Sequence, residues 1–314
     1  MMQVFVYEYL SGGGAVDDRD AGTLLPQGLA MRDALVADLL ASGHCDVTAA
    51  TCAHAGALPA GAAETAAREG ETPLDFVARL AAEHEAVWVI APETGGCLAD
   101  FERVVGAPRW LGCDSHSIAT ASSKGATLRH LAAHDVATPL AHAESAVAWV
   151  VKPDDGAGSV DTCVHSHLAA AQDDLASRRG RGESAWLEPW VEGQALSLSL
   201  LCELGRAELL SVNRQHIRHG DGGALRYEGV EIDVMPVLDP RRKPLAALAA
   251  RVAAAMPGLR GFVGIDIVCP PRGEPVVIEI NPRLTCAFVG LSRRLGRCLA
   301  AEVLALQRLE HANA

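Results

Sequence analysis

Short apolar runs alternate along this chain with longer stretches in which apolar residues recur every three or four positions. The first pattern is typical of buried strands, and the second of helices that cover a sheet. In the first third of the chain these patterns predict strands at residues 4–7, 46–50 and 86–90 and helices at residues 27–40 and 74–85. Alternation of this kind favours a parallel sheet covered by helices. Residues 57–70, rich in Ala, Gly and Glu, are predicted to be a loose connection.

A second unit is predicted to begin near Asp114, which divides the chain into domains at residues 1–114 and 115–314. The second domain is predicted to contain helices at residues 122–133, 244–256 and 293–309, and strands at residues 148–152, 185–188, 196–203 and 207–213. The predicted fold class is therefore α/β (α+β).

The last two strands of the chain are predicted to form a hairpin. The runs Gly264-Ile-Asp-Ile-Val268 and Val276-Val-Ile-Glu-Ile-Asn-Pro-Arg283 flank Pro270-Pro-Arg-Gly-Glu274, which has the composition of a turn. A hairpin centred between Arg272 and Gly273 places an aspartate of the first strand directly across from a glutamate of the second.

Three oxygen-bearing side chains converge in this hairpin. Glu279 and Asn281 lie two residues apart, so a strand presents both on one face, and Asp266 is predicted to face Glu279. Because Mg²⁺ prefers hard oxygen ligands, these residues are predicted to bind a metal ion. The alternative is an edge hairpin with a solvated polar face.

Two lysines are candidates for binding phosphate. Lys152 ends an apolar run and precedes a flexible loop that contains Gly156, Gly158 and Ser159, whose backbone N–H groups are suited to phosphate oxygens. The order differs from a P-loop, in which the lysine follows the glycines. Lys124 lies near a predicted helix N-terminus, where a cation is unfavourable unless an anion is also present. An ordinary hairpin loop and a solvated lysine are the alternatives.

A strand-to-turn joint follows at Glu188-Pro-Trp-Val-Glu-Gly-Gln194. Free backbone groups at such a joint could recognise the edge of an adenine ring, flanked by Trp190 or Val191. Glu188 and Glu192 are the acidic residues of this segment.

Composition narrows the class of protein. The net charge is −12, which disfavours sequence-independent nucleic-acid binding. The nine cysteines are scattered without a C-x-x-C pair, as expected for reduced thiols in the cytoplasm. The N-terminus has no basic region typical of a signal peptide, and no apolar run reaches the length of a membrane span. These features predict a cytoplasmic protein without a membrane partner.

The order of these motifs resembles the ATP-grasp superfamily over residues 115–300. A lysine on a helix, a lysine before a glycine loop, E-x-W-V-E-G, and finally D…E-x-N-P-R follow one another. The resemblance implies an ATP-grasp fold with an N-terminal Rossmann-like pre-ATP-grasp domain. It also implies a small lid subdomain at residues 115–187 and a larger subdomain at residues 188–314.

The resemblance also implies the roles of the candidate residues. ATP is the implied nucleotide and Mg²⁺, or Mn²⁺, the implied metal. The phosphates would contact Lys124, Lys152 and the glycine loop. The adenine would contact the segment from Glu188 to Glu192, and the metal would bind Asp266, Glu279 and Asn281. Such ligases activate a carboxylate as an acyl-phosphate that an amine then attacks, so no enzyme nucleophile is needed.

A narrower resemblance lies at the N-terminus. Val6-Tyr-Glu-Tyr-Leu-Ser-Gly-Gly-Gly14 is similar to the opening of the tyramine–glutamate ligase group of methanofuran biosynthesis, as are Ser211-Val-Asn-Arg-Gln215 and Arg226-Tyr-Glu-Gly229. This likeness implies an amino acid and an amine as small-molecule substrates. The implied substrate contacts are Glu8, Ser11, Gly12, Gly13 and Asn213. The alternative for the glycine-rich opening is a tight βα turn.

Two positions depart from the ATP-grasp pattern. Ala195 stands where many members carry the acidic residue that binds ribose, and Gly264 stands where peptide ligases often have an arginine. The second departure shifts stabilisation of the developing negative charge to Arg283, Arg214 or Arg226, which are therefore the predicted catalytic residues.

Several alternatives stay open at this point. The same scaffold suits a kinase, a D-alanine-ligase-like enzyme with another acceptor, or a nucleotide-sensing protein without catalysis, which the missing ribose acid favours. Many ATP-grasp ligases are dimers, so a homodimer is also compatible. His130 and His134 are four residues apart on a predicted helix, but Leu131 replaces the glutamate of a zinc protease, which disfavours a zinc pair.

Overall fold

The computed structural model describes residues 1–14, 21–156 and 160–313. Within these ranges the N-terminal unit contains a parallel sheet of order β3-β2-β1-β4, flanked by helices. Its elements are β1 (Met2–Glu8), α1 (Ala21–Ala41), β2 (Cys45–Ala50), β3 (Ala63–Thr65), α2 (Pro73–Glu83), β4 (Ala86–Ile90) and α3 (Cys97–Val105). The prediction of a parallel, helix-covered sheet is confirmed.

The central strand β1 is buried on both faces. Val4, Phe5, Val6 and Tyr7 have no exposed surface, as expected for a strand with helices on both sides. The strand β3 lies within the segment predicted to be loose, and it is only three residues long. Helix α3 was not predicted, although Leu98, Phe101 and Val105 are buried at helical spacing.

A small unit follows, with an antiparallel sheet of order β6-β5-β7 within the described residues. Its elements are α4 (Ser115–Ala121), α5 (Lys124–Ala133), β5 (Trp149–Pro153), β6 (Cys163–His165), α6 (Leu168–Gly180) and β7 (Ala185–Pro189). We call β5, β6, β7 and α6 the lid. The helix predicted at residues 122–133 is confirmed as α5, which Ser123 caps at Lys124, whereas α4 was not predicted.

The third unit is built on a larger antiparallel sheet, of order β10-β9-β8-β11-β12 in the described part of the chain. Its elements are β8 (Gln194–Glu203), β9 (Arg206–His219), β10 (Leu225–Glu231), α7 (Arg242–Ala255), β11 (Gly261–Cys269), β12 (Val276–Asn281), α8 (Leu291–Leu295) and α9 (Leu299–Asn313). The strand β9 extends six residues past its predicted end and pairs with β10, which was not predicted.

The C-terminal segment returns to the N-terminal unit. The single helix predicted at residues 293–309 is divided at Gly296, whose φ of 66° lies in the left-handed region. Asp38 of α1 then accepts hydrogen bonds from the Ala300 N–H and the Ser292 hydroxyl, each at 2.8 Å. These bonds anchor the start of α9 on α1, so one apolar core extends from the first sheet to the last helix.

Two further findings concern membranes and disulfides. Within the described ranges, no helix combines the length and apolar composition needed to cross a bilayer. All nine cysteines lie in those ranges and carry free thiols, as the absence of paired spacing predicted.

We expect the core of the large sheet to dominate stability. Leu198 has no exposed surface, whereas Leu238 is 94% exposed. The Leu198→Ala change should lower the free energy of unfolding by about 2–5 kcal/mol because it removes buried methyl groups and leaves a cavity. The Leu238→Ala control should change it by about 0.5 kcal/mol or less. Urea denaturation compares the two variants, and equal effects would contradict this description of the core.

Candidate active site

Asp266 and Glu279 face each other across the β11–β12 hairpin, and Gly264 faces Asn281. The predicted register is therefore confirmed. Beyond Asp266 the pairing shifts by one residue, so that Ile267 pairs with Val277. This β-bulge lies between the oxygen-bearing residues and the turn, and it leaves the side chains of Asp266, Glu279 and Asn281 on the same face of the sheet.

Burial and like charge act together on Asp266. Burial in the sheet and, secondly, the charge of Glu279 raise the pKa of the Asp266 carboxyl to about 7. Hydrogen bonds from Gln215 and Asn281 act in the opposite direction. Two carboxylates on adjacent strands repel each other unless a cation binds between them, so the donor set fits a divalent metal ion.

Gln215 is a site residue that sequence reasoning missed. It lies on β9 two residues after Asn213, and Asn213 pairs with Ser197, which in turn pairs with Asp266. Alternation along β9 therefore places Gln215 on the same face as the carboxylates. The length of β9 was the missing signal, because the predicted strand ended at residue 213.

Lys124 joins the small unit to the carboxylates. Its Nζ lies 3.4 Å from the Glu279 carboxylate and donates a 2.7 Å hydrogen bond to the Gly156 carbonyl. Asp154 fixes the start of α5, since its carboxylate accepts from the Ser123 hydroxyl and the Gly125 N–H. The helix thus carries a buried cation at its N-terminus with Glu279 as the nearby anion.

Lys152 forms a buried ion pair with Glu188. The Lys152 Nζ lies 2.7 Å from one carboxylate oxygen, and the Trp186 indole N–H donates to the other at 2.9 Å. Trp186 also restricts Gly125, because a Cβ at that position would lie 2.6 Å from its ring. Lys152, one of the two lysines predicted to bind phosphate, and Glu188, the first residue of the predicted adenine segment, are therefore in direct contact.

The segment predicted to bind adenine continues beyond β7. The Trp190 backbone N–H donates to the Ala148 carbonyl at 2.9 Å. The Trp190 ring makes an edge contact with the His219 ring, with 5.5 Å between the ring centroids. Val191 is buried, whereas Glu192 is exposed. Gly158 and Ser159 of the glycine loop lie outside the described residues, and Gly156 is described.

Arg283 connects the hairpin to the N-terminal unit. Its guanidinium donates a 2.9 Å hydrogen bond to Glu93, which follows β4. Both side chains are largely buried, and both retain an unpaired polar atom, the Arg283 Nε and the Glu93 Oε1. This contact holds Arg283 beside the carboxylates, and the arginine charge favours the ionised form of Asp266.

The other two predicted catalytic arginines lie on a different face. Because side chains alternate along β9, Arg214 points away from the face that carries Asn213 and Gln215, and it pairs with Glu231 at 3.2 Å. Arg226 is exposed on β10 across from Arg218. The structure does not bring Arg214 or Arg226 together with the carboxylates.

Tyr227, the neighbour of Arg226, faces the site instead. Burial raises the pKa of its hydroxyl, and the charges of Cys286 and Asp266 raise it further. Cys286 follows the hairpin. Burial raises the pKa of its thiol, and the charge of Glu8 also raises it. Tyr227 and Cys286 were not predicted, and they lie between the carboxylates and the N-terminal turn.

Asn213 is fully buried and fully hydrogen-bonded. Its amide nitrogen donates to the hydroxyls of Ser197 and Ser199, and its oxygen accepts from Ser211 and from the Asp233 N–H. The structure thus places this predicted substrate residue on the carboxylate face of the sheet, where it is buried and holds the segment that contains Asp233.

The glycine-rich opening forms a tight turn after β1. The buried Glu8 carboxylate accepts from the N–H groups of Leu10 and Ser11, and the Gly12 N–H donates to the Glu8 carbonyl at 2.7 Å. Gly13 has a φ of 87°. Burial raises the pKa of Glu8, although the hydrogen bonds from Ser11 oppose the shift. The turn lies at the carboxyl end of a parallel strand, where α/β folds bind ligands.

Close packing explains why residue 264 is a glycine. A Cβ at this position would lie 2.8 Å from the Thr285 side chain and 3.4 Å from the Asn281 Cβ. The position on β11 that carries arginine in many peptide ligases is therefore closed to a side chain here. The His130 Nε2 donates to the Ala255 carbonyl, and the His134 Nδ1 donates to the His130 carbonyl, so each of these ring nitrogens has a backbone partner.

A parallel N-terminal unit, a small antiparallel lid and a larger antiparallel sheet that carries the carboxylates together define an ATP-grasp fold. Family models agree: the ATP-grasp domain matches residues 121–287, and the pre ATP-grasp 3 domain matches residues 45–118. The chain belongs to the ATP-grasp superfamily, whose enzymes are in general ATP-dependent ligases. No curated protein matches it in sequence.

Solved structures share this fold. An ATP-grasp superfamily protein from Archaeoglobus fulgidus is 22% identical, with a TM-score of 0.72 over 97% of this chain and 88% of that chain. The biotin carboxylase domain of Hydrogenobacter thermophilus 2-oxoglutarate carboxylase, solved with MgADP, is 17% identical, with a TM-score of 0.68 over 98% and 70%. D-alanine–D-alanine ligase from Bacillus anthracis is 13% identical, with a TM-score of 0.63 over 99% and 100%.

The raised pKa of Asp266 predicts a pH-dependent stability. The folded protein holds the Asp266 proton up to about pH 7, whereas the unfolded chain releases it near pH 4. Between these values the folded state binds more protons, so stability should fall as pH rises, by at most about 1.4 kcal/mol per pH unit. Above pH 7 this group adds no further change.

The Asp266→Asn variant isolates this effect, because the amide cannot ionise. Urea denaturation of metal-free protein should be measured from about pH 4.5 to about pH 8, a range that includes the transition. The difference in stability between the variant and the wild type should widen up to about pH 7. A difference independent of pH would contradict the assignment.

Proposed function

We propose that this chain is an ATP-dependent carboxylate–amine ligase that uses Mg²⁺ or Mn²⁺. The observation that supports the proposal best is the convergence of Asp266, Glu279 and Asn281, with Lys124 at 3.4 Å from Glu279. Acidic and amide oxygens beside a buried lysine suit a metal-bound triphosphate.

The oxygen donors fit the metal ion. Asp266 carries a raised pKa because it is buried in the sheet and, secondly, because it lies beside another carboxylate, and a divalent cation would relieve both effects. We assign Asp266, Glu279 and Asn281 as its ligands. When bound, the metal neutralises phosphate charge and orients the transferred phosphoryl group.

The nucleotide would lie between the lid and the large sheet. We assign Lys124, Lys152 and the loop from Gly156 to Ser159 to the phosphates. The segment Glu188, Trp190, Val191 and Glu192 is assigned to the adenosine. The Lys152–Glu188 ion pair keeps two buried charges compensated, and a phosphate would give Lys152 a second anionic partner.

The chemistry needs positioning more than a protein nucleophile. A substrate carboxylate oxygen attacks the γ-phosphorus, the bond to ADP breaks, and an acyl-phosphate results. The amine then attacks the acyl carbon, phosphate leaves, and the amine releases a proton to solvent. We assign Arg283 to the negative charge that develops in both steps, since it is held near the carboxylates by Glu93.

The acceptor is proposed to bind between the N-terminal turn and the hairpin. Glu8 is buried there, and its charge raises the pKa of the Cys286 thiol. Tyr227 faces the same region from β10. The Gly-rich opening supports glutamate as the activated acid and tyramine, or a related amine such as tyrosine, as the nucleophile. A role in methanofuran-type cofactor biosynthesis, a homodimer and a cytoplasmic location remain proposals.

The direct test supplies Mg²⁺-ATP and L-glutamate, with and without tyramine or tyrosine, and identifies products by mass spectrometry. ADP, phosphate and a γ-glutamyl amide are expected. ADP without an amide would show that the amine acceptor is a different one. A stable phosphorylated product would show that the protein is a kinase and not a ligase. AMP and pyrophosphate would reject the acyl-phosphate route, and nucleotide binding without turnover across many acceptors would favour a sensor.

We expect the Glu279→Gln change to lower turnover by about 100-fold or more, because it removes a metal-binding charge from the reacting centre. Glu274→Gln in the same hairpin is the matched control, since Glu274 forms an exposed pair with Arg251. Steady-state ADP release measures both variants. Near-normal turnover of Glu279→Gln would exclude the metal assignment.

A further inference from the structure

The outer edge of the lid carries a cluster of metal-binding residue types that the active site does not use. Cys163 and His165 lie two residues apart on the edge strand β6, so their side chains share one face. Asp174 reaches the same point from α6. The Cys163 Sγ, a ring nitrogen of His165 and a carboxylate oxygen of Asp174 all lie within 4.8 Å of one another.

The contacts of Asp174 leave one oxygen directed at the cluster. Its Oδ1 accepts a 3.0 Å hydrogen bond from Arg178, whereas its Oδ2 lies 3.0 Å from the His165 Nε2. A carboxylate that binds a metal through one oxygen is commonly held by a hydrogen bond to the other. Arg178 itself is anchored on the Asp161 carbonyl at 2.6 Å.

A fourth donor comes from a different unit of the fold. The turn between β9 and β10 docks on β6, where the Gly222 carbonyl lies 3.2 Å from the Cys163 Sγ. The Leu225 N–H also donates to the Thr162 carbonyl at 2.9 Å. The contact is tight, because a Cβ on Gly223 would lie 2.1 Å from the Val164 carbonyl oxygen.

We propose that Cys163, His165 and Asp174 bind a Zn²⁺ ion that fastens the lid to the β9–β10 turn. Sulfur, imidazole and carboxylate donors together favour zinc over magnesium, which prefers oxygen ligands alone. Zinc ligands at about 2.0–2.3 Å from the ion require small movements from the present arrangement. The thiol proton passes to solvent, and the thiolate and carboxylate charges balance that of the ion. The Gly222 carbonyl completes the tetrahedron and is the ligand that connects the ion to the β9–β10 turn.

Such an ion would act away from the carboxylates of β11 and β12. It would restrain the lid, which carries Lys152, against the sheet that carries Asp266, and so would limit how far the crevice opens. The proposal does not depend on the reaction that the active site performs.

Zinc binding by the full-length protein tests the proposal. Excess Mg²⁺ is included to occupy the oxygen-rich site, and zinc content is measured after dialysis, with Co²⁺ absorption as a report of thiolate ligation. One equivalent of zinc and a thiolate–cobalt band are expected. The Cys163→Ser and His165→Ala variants should each lose about 100-fold or more in zinc affinity. The Asp174→Asn variant is the mildest change, because asparagine has nearly the same shape as aspartate. It should also bind zinc more weakly than the wild type.

Cys298→Ser is the matched control, because the Cys298 thiol also donates to a backbone carbonyl, that of Asp38, at 3.2 Å. It should bind zinc like the wild type, and circular dichroism checks that each variant is folded. Hydrogen exchange at residues 162–165 and 221–225 should slow when zinc is added to the wild type. No retained zinc, cobalt binding without a thiolate band, or equal binding by wild type and Cys163→Ser would overturn the proposal.

Discussion

The facing carboxylates of Asp266 and Glu279 are the constraint around which the three units are arranged. Two like charges on adjacent strands of a largely apolar sheet are unfavourable, and burial increases their cost. The fold supplies partial compensation from each neighbouring unit. Lys124 approaches from the small unit, and Arg283, held by Glu93 of the N-terminal unit, approaches from the other side. The remaining imbalance is the physical reason for proposing a cation at this position.

The same contacts connect the units mechanically. Glu93 follows a strand of the first sheet, so its ion pair with Arg283 ties that sheet to the carboxylate hairpin. At the other end, Asp38 anchors α9 on α1. The N-terminal and C-terminal units therefore share one core, whereas the lid contacts the large sheet through Lys124 and the β9–β10 turn. This difference makes the lid the part whose position a ligand or metal ion can influence most.

Much of the candidate site was predictable because its signals are local. The alternation of Glu279 and Asn281 depends only on strand geometry, and the turn composition was enough to place Asp266 across from Glu279. The bulge next to Asp266 did not disturb this prediction, because the shift occurs on the turn side of the pair. Gln215 and Tyr227 were missed for the opposite reason. Their positions depend on β9 and β10, whose pairing joins residues that carry only weak strand signals in sequence.

By itself, the sequence determined the family, the parallel N-terminal sheet, the hairpin register and the residue types available for metal and phosphate. The family follows from the resemblance of motifs spread over residues 115–300, and the other features follow from periodicity and spacing over a few residues. Only the tertiary structure decided that Arg283 meets Glu93, that Arg214 points away from the carboxylates, and that Cys163 and His165 meet Asp174. Each of these depends on which face of an element is presented to a distant segment, and that choice is made when the whole chain buries its apolar surface.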